Sequence, residues 1–274
     1  MVYVPTGPHK GRHFESGWYV VARYGVDAAA AATASFSISP VVASIDRAIV
    51  ENTAGRSTMG ASLWASVTTL ATRPLQFFGH RAFQWTWALY GTTYMAANAI
   101  DTSCEWASKP ARWPKFLGTT PVNMALVIRK DVAFSKLFGA TNGGVGSAPA
   151  RAMPLPSYAL FAVRDSHTVA AAFLLPPVVC QWLLDTGVVK DKTCAEVAAQ
   201  VLAPAAVQFL STPYHLLALD LYNRAGPLPF ADRWALIRDK YVVSTLARIG
   251  RIGPAFGVGG VANRSLRERW ISAL

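Results

Sequence analysis

Apolar and polar segments alternate along the chain, and the apolar stretches set the first structural expectation. The six stretches cover residues 28–45, 82–100, 116–128, 169–184, 197–219 and 252–263. A helix that crosses a bilayer needs about 20 predominantly apolar residues. The second and fifth stretches approach this length and contain no Asp, Glu, Lys or Arg. We therefore predict an all-α membrane protein with six transmembrane helices, whose more polar members line an aqueous interior.

A hydroxyl residue followed by proline recurs in three of these stretches. The pairs are Ser39-Pro40, Thr120-Pro121 and Thr212-Pro213. After each pair the chain stays apolar, acquires charge and reaches a glycine. Proline inside a helix removes one backbone hydrogen bond and kinks the helix. We therefore predict kinks near Pro40, Pro121 and Pro213, in three related units.

The predicted organisation is an N-terminal extension followed by three repeats. The extension covers residues 1–24, and the repeats cover residues 25–108, 109–190 and 191–274. Within the first repeat, Leu63, Val67 and Leu70 stand at helical spacing in residues 57–73, which is typical of a surface helix. Within the second, the glycine-rich residues 142–153 indicate a flexible loop.

Composition supports a membrane environment. Hydrophobic residues make up 52% of the chain and charged residues only 15%, whereas soluble domains contain about 25% charged residues. Basic residues outnumber acidic ones by 26 to 15, and they stand singly or in pairs between apolar stretches. This scatter argues against a nucleic-acid partner. It favours basic loops, around residues 47–81, 129–151 and 224–240, that face one anionic membrane surface.

The sequence contains no pattern that predicts catalysis or a bound metal. The histidines show no HExxH spacing, and no GxSxG segment is present. Cys104, Cys180 and Cys194 are scattered and form no CxxC pair. We therefore predict that the protein is not an enzyme and holds neither a metal nor another cofactor.

Arg164, Asp165 and His167 are the most conspicuous polar cluster, because they interrupt an apolar run between residues 155 and 184. A charged side chain at the centre of a bilayer costs roughly 2.5–3.5 kcal/mol, so such a group ordinarily faces a cavity or a partner. Two interpretations follow. These residues contact a substrate, or they pair with neighbouring side chains and fix the register of the helix.

Arg248 and Arg251 are a second pair of candidates, since guanidinium groups favour carboxylate and phosphate. They either bind an anion in the same cavity or mark the end of a helix at the aqueous side. Directly after them, Gly253 and Gly257 form a GxxxG pattern, with Gly259-Gly260 beside it, which predicts close approach between helix backbones.

The three proline-containing units, each with a surface segment and a second apolar helix, resemble the mitochondrial carrier family over residues 25–270. Thr212-Pro213 followed by Asp220 and the Arg251-Ile-Gly-Pro254 segment are similar to family features. The resemblance implies a multi-pass protein of the mitochondrial inner membrane that transports an anionic metabolite and binds membrane lipid such as cardiolipin. The implied substrate-binding residues are Arg164, Asp165, His167, Arg248 and Arg251.

Carrier gates are built from charges placed just after each proline, and this chain lacks them. The residues after the three prolines read Val-Val-Ala-Ser-Ile, Val-Asn-Met-Ala-Leu and Tyr-His-Leu-Leu-Ala. An alternating-access equilibrium shifts only if its two states differ in interaction energy. The missing motif therefore favours an alternative function, in which the chain is a non-transporting accessory subunit of a respiratory-chain or ATP synthase assembly.

Overall fold

A computed structural model describes residues 17–139, 152–224 and 226–274, and every regular element in these ranges is helical. The helices are α1 (Gly17–Thr53), α2 (Met59–Thr72), α3 (Pro74–Gly79), α4 (Arg81–Trp106), α5 (Arg112–Phe138), α6 (Leu155–Leu174), α7 (Pro176–Asp185), α8 (Lys192–Asn223), α9 (Phe230–Ile252) and α10 (Gly259–Ser272). A π-helical segment, Gly253–Val258, joins α9 to α10. The all-α prediction is confirmed for the described residues.

The helices form a closed bundle that follows chain order. Helix α1 packs on α4, α4 on α5, α5 on α6, and both α6 and α7 on α8. Helix α8 then packs on α9, and α9 and α10 return to α1. We call the end where α1, α5 and α8 finish the basic end, and the end where they begin the opposite end. The predicted basic loops lie at the basic end wherever their residues are described.

Two described helices, α1 and α8, are long and apolar enough to cross a membrane. The pair α6–α7 counts as a third span if both parts cross together, and it is bent by 47°. The six predicted spans are therefore not confirmed, although each of the six apolar stretches lies in helical structure. Helix α4 illustrates the reason: its central part is uncharged, but Gln84, Asn98 and its Thr and Tyr residues lower its mean hydropathy.

The three predicted kink residues all lie inside long helices. Pro40 is in α1, Pro121 in α5 and Pro213 in α8, and each helix continues past its proline. Since Pro213 has no amide hydrogen, the carbonyl of Phe209 loses its usual helical donor. The Tyr241 hydroxyl of α9 donates to that carbonyl at 2.8 Å, so the proline also ties α8 to α9. The division into three repeats stays a prediction.

Some sequence predictions fall wholly or partly outside the described residues. These include residues 1–16 of the N-terminal extension and residues 142–151 of the flexible loop. Residues 17–24 belong to α1 rather than to an extension. The predicted surface helix corresponds to α2, but its buried side chains are Ser62 and Ser66, while Val67 is exposed. Ser62 holds α2 on α1 by donating to Glu51 Oε2 at 2.6 Å.

The tight contact between helices occurs at Gly259, whose backbone meets side chains of α1 and α4, and not at the predicted GxxxG pair. A Cβ added at Gly253 or Gly257 meets nothing within 4 Å. A Cβ added at Gly259 lies 2.8 Å from Ile38 Cδ1 and closer still to the Tyr94 hydroxyl. That hydroxyl donates to the Ala255 carbonyl at 2.6 Å inside the π-helical segment. Gly259 therefore lets α10 pack directly on α1 and α4.

We expect Gly259→Ala to destabilise the bundle by about 1–3 kcal/mol, the usual cost of overpacking a filled interior. The new methyl group would displace the Tyr94 hydroxyl from the Ala255 carbonyl. Unfolding of the detergent-solubilised protein measures the change. Gly260→Ala is the matched control, because a Cβ there meets nothing within 4 Å. Equal stability of the two variants would contradict the assigned contact.

Candidate functional site

Charged and polar side chains from five helices gather in the interior of the bundle, nearer its basic end. We call this group the polar ring. Its members are Asp46 on α1, Lys130 and Asp131 on α5, Arg164 and Asp165 on α6, Ser211 and His215 on α8, and Arg248 and Arg251 on α9. All are buried except Arg251, which is partly buried.

The first half of the ring joins α1, α5, α6 and α8. Lys130 Nζ donates to Asp46 across the α1–α5 interface and lies 2.9 Å from Asp131 Oδ1. Asp131 Oδ2 pairs with Arg164 Nη2 at 2.6 Å across the α5–α6 interface. Arg164 Nη1 then donates to His215 Nδ1 at 2.7 Å. Because arginine only donates, His215 accepts through Nδ1 and is neutral in this arrangement.

The second half returns through α9 to α1. Ser211 lies one helical turn before His215 and accepts from Arg248 Nη2 at 3.1 Å. Arg251, one turn after Arg248, donates to Asp46 Oδ1 at 2.8 Å. The contacts therefore close around α1, α5, α6, α8 and α9. These contacts link the five helices to one another at this level.

Arg248 differs from the other cations of the ring. Lys130, Arg164 and Arg251 each contact a carboxylate, whereas Arg248 forms no ion pair with any described residue. Arg248 is only 1% exposed, and its Nε has no hydrogen-bond partner in the described chain. A buried cation with one neutral acceptor is an expensive arrangement. An anionic group beside the Arg248 guanidinium would stabilise it.

Three further polar atoms near Arg248 or in the ring also lack partners in the described chain. They are Ser244 Oγ, Thr245 Oγ1 and Asp165 Oδ2. Ser244 and Thr245 lie one turn before Arg248 on α9, so the three side chains are neighbours on that helix. The large majority of buried side-chain polar atoms are hydrogen-bonded. A guanidinium, two hydroxyls and a carboxylate oxygen together suit a ligand that carries both an anionic and a cationic group.

Four of the five sequence-predicted site residues lie in this ring, and His167 does not. His167 Nδ1 contacts the Val163 carbonyl at 2.7 Å, and its ring stacks on Tyr214 with centroids 5.5 Å apart. Arg164 does pair with Asp165 on its own helix, with Nε 2.9 Å from Oδ1, but it also joins α5 and α8. Burial of Arg248 shows that it does not mark an aqueous helix end.

Sequence reasoning missed the remaining members of the ring: Asp46, Lys130, Asp131, Ser211 and His215. Asp46 and the Lys130-Asp131 pair were treated only as charges that follow a proline. The cost of placing charge in an apolar helix, which singled out Arg164, applies equally to them. Ser211 and His215 carried no such signal, since a neutral serine or histidine in a helix is common.

A second group of polar contacts closes the bundle near its opposite end. Arg267 of α10 donates to Asp27 of α1 at 2.6 Å, and Arg23 of α1 pairs with Glu105 of α4. In addition, the side-chain amides of Asn98 and Asn263 exchange hydrogen bonds of 3.0 and 2.9 Å. We call these residues the opposite-end cluster. The chain thus carries paired charges between helices at two levels, although it lacks the carrier gate motif.

A family model described as a probable citrulline exporter matches residues 30–271. The match begins inside α1, ends inside α10 and includes the whole polar ring. No curated protein matches the chain significantly. The predicted membership of the mitochondrial carrier family is wrong, because the match is to a different family. The features behind that prediction, prolines inside apolar helices and intramembrane charge, also occur in unrelated membrane bundles.

The family match also bears on the class of activity. Exporters are transporters, so the prediction that the chain is not an enzyme is confirmed, and so is transport of a metabolite in general terms. The match extends over most of the chain, from α1 to α10. This chain belongs to the probable citrulline exporter family.

Proposed function

We propose that this protein exports citrulline, or a closely similar neutral α-amino acid, by opening the polar ring. The observation that carries the proposal is Arg248, a buried guanidinium that forms no ion pair with a described carboxylate. The family is that of probable citrulline exporters, which makes citrulline the first candidate substrate. Citrulline has an α-carboxylate, an α-ammonium group and an uncharged ureido group, so both of its charges need partners inside a membrane.

The atoms without partners match these groups. The α-carboxylate would bind the Arg248 guanidinium, whose planar fork suits two parallel hydrogen bonds to a carboxylate. The α-ammonium would donate to Asp165 Oδ2, and the ureido group would bond to the hydroxyls of Ser244 and Thr245. The anionic metabolite predicted from the sequence is thereby replaced by a zwitterion. Arg164 and Arg251 keep their aspartates and hold the ring together.

Substrate binding would open the ring at its weakest contact. The bond from Arg248 to Ser211 is a single hydrogen bond to a neutral hydroxyl, worth about 1.5–3 kcal/mol as a bond to a charged group. The other contacts that join helices in the ring are ion pairs or hydrogen bonds from Arg164. A carboxylate that takes Arg248 away from Ser211 removes the contact of the ring between α8 and α9. The free energy of substrate binding then differs between the closed and open states, and this difference is what lets a ligand shift the equilibrium between them.

We propose that the six long helical segments of the bundle cross the inner mitochondrial membrane, with the basic end toward the matrix. The closed packing order of the helices supports the six spans, and the predicted basic loops at the basic end support this orientation. Fractionation of cells that express the tagged full chain, followed by carbonate extraction, tests the location. Recovery from another membrane would contradict the location alone and leave the transport proposal standing.

The alternative of a non-transporting accessory subunit depended on missing gate charges. The polar ring and the opposite-end cluster supply paired charges at two levels, so that reason no longer applies. The helices that these charges join can separate at one level while they stay closed at the other. This arrangement is what alternating access through a helical bundle needs.

Transport by the purified full chain in liposomes tests the proposed function. Vesicles loaded with radiolabelled citrulline should release it faster than protein-free vesicles, and unlabelled citrulline outside should exchange with it. Ornithine and glutamate, which carry net charges of opposite sign, should compete at least tenfold less well, because their charged side chains would meet only the neutral hydroxyls of Ser244 and Thr245. Release no faster than from protein-free vesicles, with folded protein present, would overturn the proposal.

A further inference from the structure

A groove on the outside of the bundle lies between α4, α5 and α6 at the basic end. Its volume is about 340 Å³. The side chains of Trp85, Leu137 and Tyr158 give it an apolar floor, and Arg81, Arg129 and Lys136 line it with cationic groups. It faces away from the polar ring, whose side chains point into the bundle and are buried. Export of an amino acid therefore does not account for it.

The three cations of the groove converge without acidic partners. Arg81, Arg129 and Lys136 are exposed, and none forms an ion pair with a described residue. Neighbouring His80 adds no charge: burial and then the Arg47 guanidinium lower the pKa of His80, and its Nδ1 accepts from the Ala82 amide at 3.1 Å. The groove is thus a concentrated positive patch of three side chains above an apolar surface.

The position of the groove along the helices indicates what it meets. Arg81 is the first residue of α4, Lys136 lies in the last turn of α5, and Tyr158 lies in the first turn of α6. These are the points at which the three helices would leave the bilayer. Aromatic side chains such as Trp85 and Tyr158 are enriched at that depth. Basic pockets between helices at the inner surface are suited to anionic headgroups.

We infer that this groove binds one anionic phospholipid, with the headgroup phosphate among Arg81, Arg129 and Lys136 and the upper part of an acyl chain on Leu137 and Trp85. A soluble phosphate ester would use the cations but leave the apolar floor uncovered. A zwitterionic phospholipid would bring a choline cation into a patch that has no described acid. The lipid would lie across α4, α5 and α6 and fix their spacing at the basic end.

Native mass spectrometry of the full chain in detergent tests the inference, with phosphatidylglycerol and phosphatidylcholine of identical acyl chains as probes. We expect retention of one phosphatidylglycerol in preference to phosphatidylcholine. The variant Arg81→Gln/Arg129→Gln/Lys136→Gln should bind phosphatidylglycerol roughly a hundredfold more weakly, at about fivefold per charge. Glycerol phosphate, which has the headgroup chemistry and no acyl chain, should not displace the lipid at comparable concentration.

The matched control removes three exposed basic residues from the opposite end: Lys109→Gln/Arg112→Gln/Arg269→Gln. It has the same net charge as the groove variant and should retain phosphatidylglycerol as the original chain does. Equal loss in both variants would mean that total charge, not the groove, attracts the lipid, and would overturn the inference. Undiminished binding by the groove variant, or displacement by glycerol phosphate, would overturn it as well. Citrulline release plays no part in these readouts.

Discussion

Replacing Arg248 with glutamine is expected to reduce citrulline release from liposomes at least a hundredfold while leaving the protein folded. The reason for the loss is that glutamine keeps hydrogen-bonding capacity at a similar length but offers no charge and no planar fork to a carboxylate. The reason for retained folding is that Arg248 has no ion pair to lose in the described chain. Removing an uncompensated buried cation should leave stability unchanged or raise it. Initial rates of radiolabelled citrulline release and unfolding in detergent measure the two effects.

Arg238→Gln is the matched control, since Arg238 is an exposed arginine on the same helix. It should transport at the original rate. Arg248→Lys separates charge from shape, because it keeps the cation without the fork and should recover only part of the activity. Transport by Arg248→Gln at the rate of the control would refute the assignment of Arg248. A marked loss of stability in Arg248→Gln would assign Arg248 a structural role instead.

The positions of the helices could be predicted from the sequence because apolar content is a local property. Each of the six apolar stretches lies in helical structure, and the surface helix was placed within two residues of α2. The ends of the helices were harder. Helix α1 continues through Asp46 and Glu51, charges that hydropathy alone assigns to a loop. They remain in the helix because each meets a partner there, Lys130 for Asp46 and Ser62 for Glu51.

The sequence predicted only some members of the polar ring, because residues that contact each other in the ring are far apart along the chain. Asp46 meets Lys130 across 84 positions and Arg251 across 205. The insertion cost of a charge selects residues in the middle of an apolar run, as it selected Arg164, and passes over those at the end of a run. No pattern in a single sequence shows which cation contacts which carboxylate. The absence of the carrier motif was informative, since the chain pairs its helices through charges at other positions.

The glycine pattern in the sequence also predicted the wrong position for the tight helix contact. GxxxG marks residues on one helical face, but it does not say whether another helix lies against that face. Here the π-helical segment occupies 253–258, and an added Cβ at Gly253 or Gly257 meets nothing. The extra residue per turn of a π-helix shifts the face that follows it. Contact is therefore transferred to Gly259, at the beginning of α10.

Asp46→Asn is expected to destabilise the protein more than any other single change in the ring, by about 3–5 kcal/mol, the usual cost of breaking a buried ion pair from one side. Asp46 is the only described carboxylate that contacts both Lys130 and Arg251, so it joins α5 and α9 to α1. Asparagine retains the size of the side chain but leaves the buried Lys130 and the partly buried Arg251 facing a neutral amide. Denaturant unfolding of the detergent-solubilised protein measures the loss. Asp239→Asn, at a side chain 68% exposed, is the control and should change stability little.

A second substitution distinguishes an electrostatic cause from a packing defect. Adding Arg251→Gln to Asp46→Asn removes the cation that the first change leaves without a carboxylate partner, whereas Lys130 keeps its contact with Asp131. If charge is the cause, the double variant should be more stable than Asp46→Asn alone. Losses that simply add would show that Asp46 and Arg251 act independently, contrary to their 2.8 Å contact. Recovery in the double variant would establish that the ring holds its helices by neutralising buried charge, so a substrate that supplies charge can open it.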